Sequence, residues 1–251
     1  MTAPTTQDRP AAAPSPSAPL GTVLVTGAAS GLGRAVAAAV ATAGGTPLLV
    51  DRVDPRESGD PALTEAATAV VDLADGRAAE SAVGELIARA GRLDAVVTAA
   101  GTDACGRMED VPAADWERVV QVNLLGTAAV VRAAIPALRE SRGRIVTIAS
   151  TLGLRALPDA SAYCAAKFGV VGMTRALAAE LAGEIGVTLM IPGGMDTAFF
   201  DGRTEQYRPG PDAMLNDPRQ VAAAILFALG RPTGVELREL VVTPSVEPSW
   251  P

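Results

Sequence analysis

From Thr22 onward the chain alternates short aliphatic runs with longer stretches of helical character, and few folds accommodate that rhythm. The runs are Val23–Thr26, Thr46–Val50, Thr68–Val71, Leu93–Ala99, Arg144–Ala149, Val187–Ile191 and Glu239–Val242. A run that is apolar on both faces belongs in a sheet covered on both sides, and strands separated by helices pair in parallel through right-handed crossovers. Seven runs therefore predict an α/β fold: a doubly wound, seven-stranded parallel sheet with helices on both faces. Hydrophobic residues make up 49% of the chain but aromatic ones only 3%, so Val, Leu, Ile and Ala must fill the space between layers. That suits sheet-and-helix layers better than a β-sandwich. At 251 residues, one domain holds the whole pattern.

The clearest helix starts after Val111-Pro112, with Trp116, Val120, Leu124, Thr127, Val131, Ile135 and Leu138 at intervals of three and four. Asn123 lies at the edge of this stripe, where a side-chain amide is unfavourable unless it is hydrogen-bonded. Pro4, Pro10, Pro14, Pro16 and Pro19 stand among Ala, Ser and Thr, so residues 1–20 are expected to be a disordered Pro/Ala-rich arm. Residues 21–243 are expected to form the single domain and residues 244–251 an extended C-terminal tail.

A formal net charge of -7 opposes a nucleic-acid partner, which needs clustered Lys and Arg. No stretch reaches the roughly 20 uncharged apolar residues expected of a bilayer span, and the N-terminus lacks the basic-then-apolar order of a secretory signal. Cys105 and Cys164 have the spacing of neither a disulfide framework nor a metal site, so a reduced, cytoplasmic setting is expected, with no metal. The chain has no histidine, which excludes Ser-His-Asp hydrolysis and His-ligated metal catalysis within it. Any base is then Tyr, Lys, Cys or a carboxylate. Lys167 is the sole lysine in a chain that otherwise uses Arg.

The first strand runs into Thr26-Gly27-Ala28-Ala29-Ser30-Gly31-Leu32-Gly33 and then an alanine-rich helix. Glycines there let backbone approach a pyrophosphate while the helix N-terminus offers N–H groups and positive dipole. The Gly-x-x-x-Gly-x-Gly spacing resembles the cofactor turn of the short-chain dehydrogenase/reductase family, and with it a Rossmann-like sheet. Asp51, at the end of the second strand, is placed to accept from the adenosine ribose hydroxyls and to repel a 2'-phosphate. Ser30 adds no basic charge, so NAD is favoured over NADP, although Arg52 beside Asp51 partly offsets its charge. Asp72, followed by Leu73, matches the family aspartate at the adenine. The turn Ala99-Ala100-Gly101 matches the family turn after the fourth strand, except that Thr98 replaces its leading asparagine.

Tyr163 and Lys167 stand four residues apart, on one helix face, where an ammonium can favour a phenolate. Ser150 ends a strand thirteen residues before Tyr163, and Asn123 lies twenty-seven before Ser150. These intervals resemble the family tetrad. The resemblance implies that Tyr163 is the general acid/base, that Ser150 binds the substrate oxygen and that Lys167 binds the nicotinamide ribose and lowers the tyrosine pKa. It implies that Asn123 holds a water linking the lysine to solvent. Pro192-Gly193-Gly194-Met195-Asp196-Thr197 looks like the family turn in which Met195 and Thr197 hold the carboxamide. It covers roughly Thr22 to Val242 and implies hydride transfer between NAD(H) and a secondary alcohol or ketone.

The segment after Gly101 and the loops Thr151–Leu157 and Met195–Tyr207 flank the expected reaction point. Leu152, Leu154, Met195, Phe199, Phe200 and Tyr207 suggest an apolar or mixed pocket there, with Ser150 and Tyr163 at its reactive end. No basic cluster near these loops signals a phosphate or carboxylate substrate. The C-terminal Leu237–Pro244 departs from the fatty-acid reductases of the family. Two other outcomes use the same parts: a cofactor-retaining epimerase or dehydratase, and a non-catalytic NAD-sensing protein. The family commonly forms homodimers or homotetramers, to which the apolar Val221–Leu229 helix is expected to contribute.

Overall fold

A computed structural model describes residues 20–250; the arm expected over residues 1–20 lies outside them except for Leu20. Strands β1 (Thr22–Thr26), β2 (Thr46–Asp51), β3 (Ala67–Val70), β4 (Ala95–Thr98), β5 (Arg144–Ile148), β6 (Gly186–Pro192) and β7 (Glu239–Val242) form one sheet. Its order is β3-β2-β1-β4-β5-β6-β7, and every pairing is parallel. This is the Rossmann-like doubly wound sheet expected from the runs, with strand ends moved by one or two residues. The chain winds outward from β1 through β2 to β3, then returns to place β4 on the other side of β1. Loops leaving β1 and β4 diverge and open a crevice at the carboxyl edge. Thr26 is level with Thr98, and Thr98 with Thr147, so the turns after β1, β4 and β5 share that edge.

Period-two alternation distributes the sheet's side chains between two cores. Val23, Val25, Leu49 and Val97 pack under α1 (Gly31–Thr42) and α6 (Pro218–Leu229). Leu24, Leu48, Val96 and Ile145 pack under α2 (Gly76–Ala90) and α4 (Thr127–Ser141). Each such aliphatic side chain, once buried, contributes about 1.5–3 kcal/mol. Ala149, Leu189 and Ile191 meet Val170 and Val171 of α5 (Ser161–Glu180). Local signals set the helix ends: the Asp75 carboxylate accepts from the N–H groups of Arg77 and Ala78 at the start of α2, and Gly91, at φ 73°, ends it.

Three expectations are corrected. First, α3 (Ala113–Val120), a π-helical turn (Gln121–Gly126) and α4 make one continuous 29-residue helix, long and apolar enough to cross a membrane by those measures alone. Half of its most apolar stretch is buried inside the protein, and the helix is a core element. Asn123 is at its interior, 1% exposed, rather than at the edge of the stripe. Second, the apolar face of α6 formed by Val221, Ala222, Ile225 and Leu229 packs against α1 of the same chain, which leaves only its other face, where Phe227 is exposed, to meet a second subunit. Third, the C-terminal segment is not extended. It turns back onto the carboxyl edge, where Glu247 accepts from the Gly194 N–H at 2.9 Å and Ser249 bonds Thr151 at 2.7 Å.

Candidate active site

The glycine turn has no room for a side chain at Gly27 or Gly33. Gly27 and Gly31 have φ of 70° and 51°, a region that disfavours L residues. A Cβ at Gly27 would lie 2.8 Å from the Ala100 Cα, and one at Gly33 would collide with the Gly27 carbonyl. Ser30 is the N-cap of α1 but its hydroxyl does not cap the helix, which leaves the first-turn N–H groups without side-chain partners. A backbone cradle facing a helix N-terminus suits a pyrophosphate. Asp51 sits beside it, one carboxylate oxygen accepting from the Ala29 N–H at 3.0 Å and the other from the Arg52 N–H at 2.6 Å. Leu32 and Leu73 bury their side chains, 6% exposed in both cases, so only their backbone can face a ligand. Ala99, Ala100 and Gly101 follow β4, with the Ala100 N–H donating to Thr26 Oγ1. Thr98 is 2% exposed, and its hydroxyl has no hydrogen-bond partner among the described residues. It takes over none of the bonding an asparagine amide would provide.

Asp72 is engaged by a residue the sequence reading did not name. Its carboxylate accepts from the Ala74 N–H at 2.9 Å and pairs with Arg118 at 2.8 Å. The Ala74 bond first, then Arg118, holds its pKa below the ordinary carboxylate value. The Pro192-Gly193-Gly194-Met195 turn leads to Thr197, whose side chain lies against Gly31, so the two ends of the crevice meet.

Ser150, Tyr163 and Lys167 converge at the end of β5. Ser150 is hydrogen-bonded to Tyr163, and its Oγ also accepts from the Leu152 N–H at 3.1 Å. Lys167 is 4% exposed, donates to the Ile148 carbonyl at 2.8 Å and places Nζ 5.5 Å from the Tyr163 ring centroid. Burial raises the Tyr163 pKa above the ordinary phenol value, and the Asp103 charge adds to this, against the Ser150 bond and Arg203. Burial brings Lys167 down to about 8, with Asp103 opposing. Asn123 uses its amide on one neighbour: Oδ1 accepts from the Thr102 N–H and Nδ2 donates to the Thr102 carbonyl, both at 2.8 Å. It fixes the loop after β4.

A model of the short chain dehydrogenase family matches residues 21–208. The chain is a short-chain dehydrogenase/reductase. It is 32% identical over 249 residues to glycine betaine reductase of Emericella nidulans, covering 94% of this chain but only 20% of that protein. Against L-fucose dehydrogenase of Mus musculus the identity is 31%, over 90% of this chain and 88% of that one. A short-chain dehydrogenase from Mycobacterium paratuberculosis bound to NAD superposes with a TM-score of 0.79 at 26% identity, covering 90% and 97% of the two chains. The family is one of oxidoreductases, and the substrate is accordingly a small molecule.

Beside Tyr163, this short-chain dehydrogenase/reductase contains a charged pair that the sequence did not lead us to expect. Arg203, in the loop after β6, bonds the Asp103 carboxylate at 2.5 Å, with side-chain exposures of 18% and 8%. Its guanidinium lies over the rings of Phe199 and Phe200, 5.0 and 4.6 Å from their centroids, and Phe199 contacts Tyr163 at 5.7 Å. Its Nε finds no partner among the described residues. The Tyr207 hydroxyl donates to Asp159 at 3.2 Å, closing the same loop onto the segment before Tyr163. Cys105 donates to Asp103 at 3.1 Å; burial first, then that carboxylate, pushes its thiol up to about 12. Asp103 and Arg203 are one hundred residues apart, and only the charges themselves could have signalled them. Leu152, Phe199 and Phe200 are partly buried, and Phe200 packs edge-on against Phe199.

Proposed function

We propose that this enzyme transfers hydride between NAD(H) and a secondary alcohol or ketone, with Tyr163 as general acid and base. The convergence of Ser150, Tyr163 and Lys167 beside the glycine turn carries this reading. When bound, the nicotinamide supplies hydride acceptance or donation. Gly27, Ser30, Gly31 and Gly33 would hold the pyrophosphate, Asp51 the adenosine ribose, Asp72 and Leu73 the adenine, and Met195 and Thr197 the carboxamide. Ser150 would hydrogen-bond the substrate oxygen and hold it against Tyr163.

The Tyr163 phenol, kept protonated by its burial, is ready to donate its proton to a ketone oxygen. In the opposite direction it takes the hydroxyl proton, and the Lys167 ammonium stabilises the resulting phenolate. With its pKa near 8, Lys167 supplies that charge at neutral pH and loses it in mild alkali. Asn123 would keep the Thr102 loop in place behind this pair and bind the water that passes protons to solvent. Preference for NAD is supported by the Asp51 carboxylate, which would repel a 2'-phosphate. Support for an alcohol substrate comes from relatives such as L-fucose dehydrogenase.

Calorimetry with NADH and NADPH tests the cofactor, and nicotinamide absorbance over a panel of secondary alcohols and ketones tests the reaction. NADH is expected to bind more tightly. Tyr163→Phe should keep NADH affinity and lower kcat by about 10²–10⁴-fold, the usual contribution of acid–base catalysis. Binding without turnover across the panel would favour a non-catalytic sensor; absence of binding would refute the reading.

A further inference from the structure

The turn assigned above to the carboxamide is held from behind by the C-terminal segment. Gly193 donates to the Val242 carbonyl at 2.9 Å, and Gly194 donates to the Glu247 carboxylate at 2.9 Å. Both amides at the centre of the turn are therefore fixed by residues about fifty positions downstream. Glu247 lies directly against the Gly193 Cα, where any Cβ would strike its carboxylate, so only glycine admits this contact. The other Glu247 oxygen accepts from the N–H and the hydroxyl of Ser249, at 3.1 and 2.6 Å. Burial would raise the Glu247 pKa, but these bonds from Ser249 and Gly194 outweigh it and keep the carboxyl ionised.

Ser249 carries the contact to the second catalytic loop. It is 9% exposed and bonds at 2.7 Å to Thr151, itself 2% exposed and adjacent to Ser150. Thr151 opens the 3-10 turn Thr151–Gly153, whose N-cap is Ser150. One short segment thus spans the two loops whose spacing sets the distance from the carboxamide turn to the substrate-binding hydroxyl. The Trp250 N–H closes a turn on the Glu247 carbonyl at 3.0 Å and holds the segment in this shape.

We propose that Glu247 and Ser249 are positioning residues of the active site: Glu247 fixes the Gly193–Gly194 turn against the cofactor, and Ser249 fixes the turn that presents Ser150. The proposal rests on the cofactor reading given under Proposed function. It is tested on the full chain with NADH as the calorimetric probe, alongside thermal melting and steady-state kinetics. Loss of one hydrogen bond to a charged acceptor corresponds to about tenfold, so Glu247→Ala should weaken NADH binding by roughly that factor. Glu247→Gln, which keeps an acceptor in place, should recover affinity to within about threefold. Glu247→Asp keeps the charge but falls short of Gly194, and should resemble the alanine variant; it serves if Glu247→Ala does not fold. Ser249→Ala should leave the NADH Kd unchanged and lower kcat about threefold, a split that general loosening would not produce.

Wild-type NADH affinity and kcat in Glu247→Ala, Glu247→Asp and Ser249→Ala, whatever their melting temperatures, would show that the segment is only a structural staple and overturn the proposal. A wild-type chain that binds neither NADH nor NADPH removes the cofactor reading and the proposal together, and that result is visible before any variant is made.

Discussion

The two ends of the crevice are built by different means. The end assigned above to the nucleotide is mostly backbone, a glycine turn with positive φ and an open helix N-terminus, flanked by the carboxylates Asp51 and Asp72. The turn and helix start fall within a dozen residues of each other in the chain. The end around Tyr163, assigned above to the carboxamide and the substrate, is held by side chains from distant segments. Arg203 reaches Asp103 across 100 positions, Ser249 reaches Thr151 across 98, Glu247 reaches Gly194 across 53 and Tyr207 reaches Asp159 across 48. A site written in backbone tolerates almost no change at its glycines. A site written in side-chain pairs can be re-specified by exchanging partners.

The largest test of that contrast is a pair of glycines. Gly33→Ala drives a Cβ into the Gly27 carbonyl, and should lower unfolding free energy in urea by more than about 3 kcal/mol and abolish NADH binding. Gly202→Ala, in the loop after β6, has φ of 81° but nothing within 4 Å, and should lose only about 1 kcal/mol. Equal losses would break the comparison. Next is Asp103→Ala, which leaves the mostly buried Arg203 guanidinium unpaired and should destabilise by about 3 kcal/mol in the same titration. Adding Arg203→Met should return a large part of that loss, because no charge is then stranded.

A smaller effect concerns Lys167, whose ammonium is disfavoured in the folded state. Its folded pKa near 8 lies below its ordinary 10.5, so between these values the unfolded chain binds the extra proton and stability rises with pH. From pH 8 to 10 this group should add about 2 kcal/mol, measured by urea unfolding at each pH. Tyr163 works in the opposite sense, but only above its ordinary 10.0. Lys167→Met should remove the slope, melt no lower than wild type at pH 7, and be inactive. Smallest is Asp51→Ala, which should narrow the preference for NADH over NADPH by about tenfold in calorimetric Kd. An unchanged ratio would mean that side chains elsewhere choose the cofactor.

The same division explains what was legible beforehand. Strands, the glycine turn, Ser150, Tyr163 and Lys167 are recorded as local patterns of period, spacing and residue type, and the structure forms the sheet and brings the turn and these three side chains to its carboxyl edge. Arg203 lay in plain view within the Met195–Tyr207 loop, yet a single Arg without a basic neighbour gives no periodic signal, and its partner is at Asp103. The C-terminal segment read as extended because Pro244 and Pro248 dominate it, whereas its conformation is set by Glu247 and Ser249 meeting groups that are adjacent only after folding. Arg118 escaped for the same reason, since its relation to Asp72 exists only once α3 brings it to the segment after β3.

The π-helical turn Gln121–Gly126 works as a phase shifter. An α-helix rotates by about 100° per residue, so one widened turn re-aims everything on one side of it relative to the other. Before the turn, Val119 faces α5 near Tyr163; beyond it, Val130, Ala134 and Leu138 face α2 and the sheet. Removing a single residue, for instance the exposed Leu125, would leave the rod just as helical and nearly as apolar, yet would swing one half about a quarter turn out of step with the other. In this region the arithmetic of insertions and deletions is harsher than that of substitutions: the length of the helix itself sets which side chains meet Tyr163 and which meet the sheet.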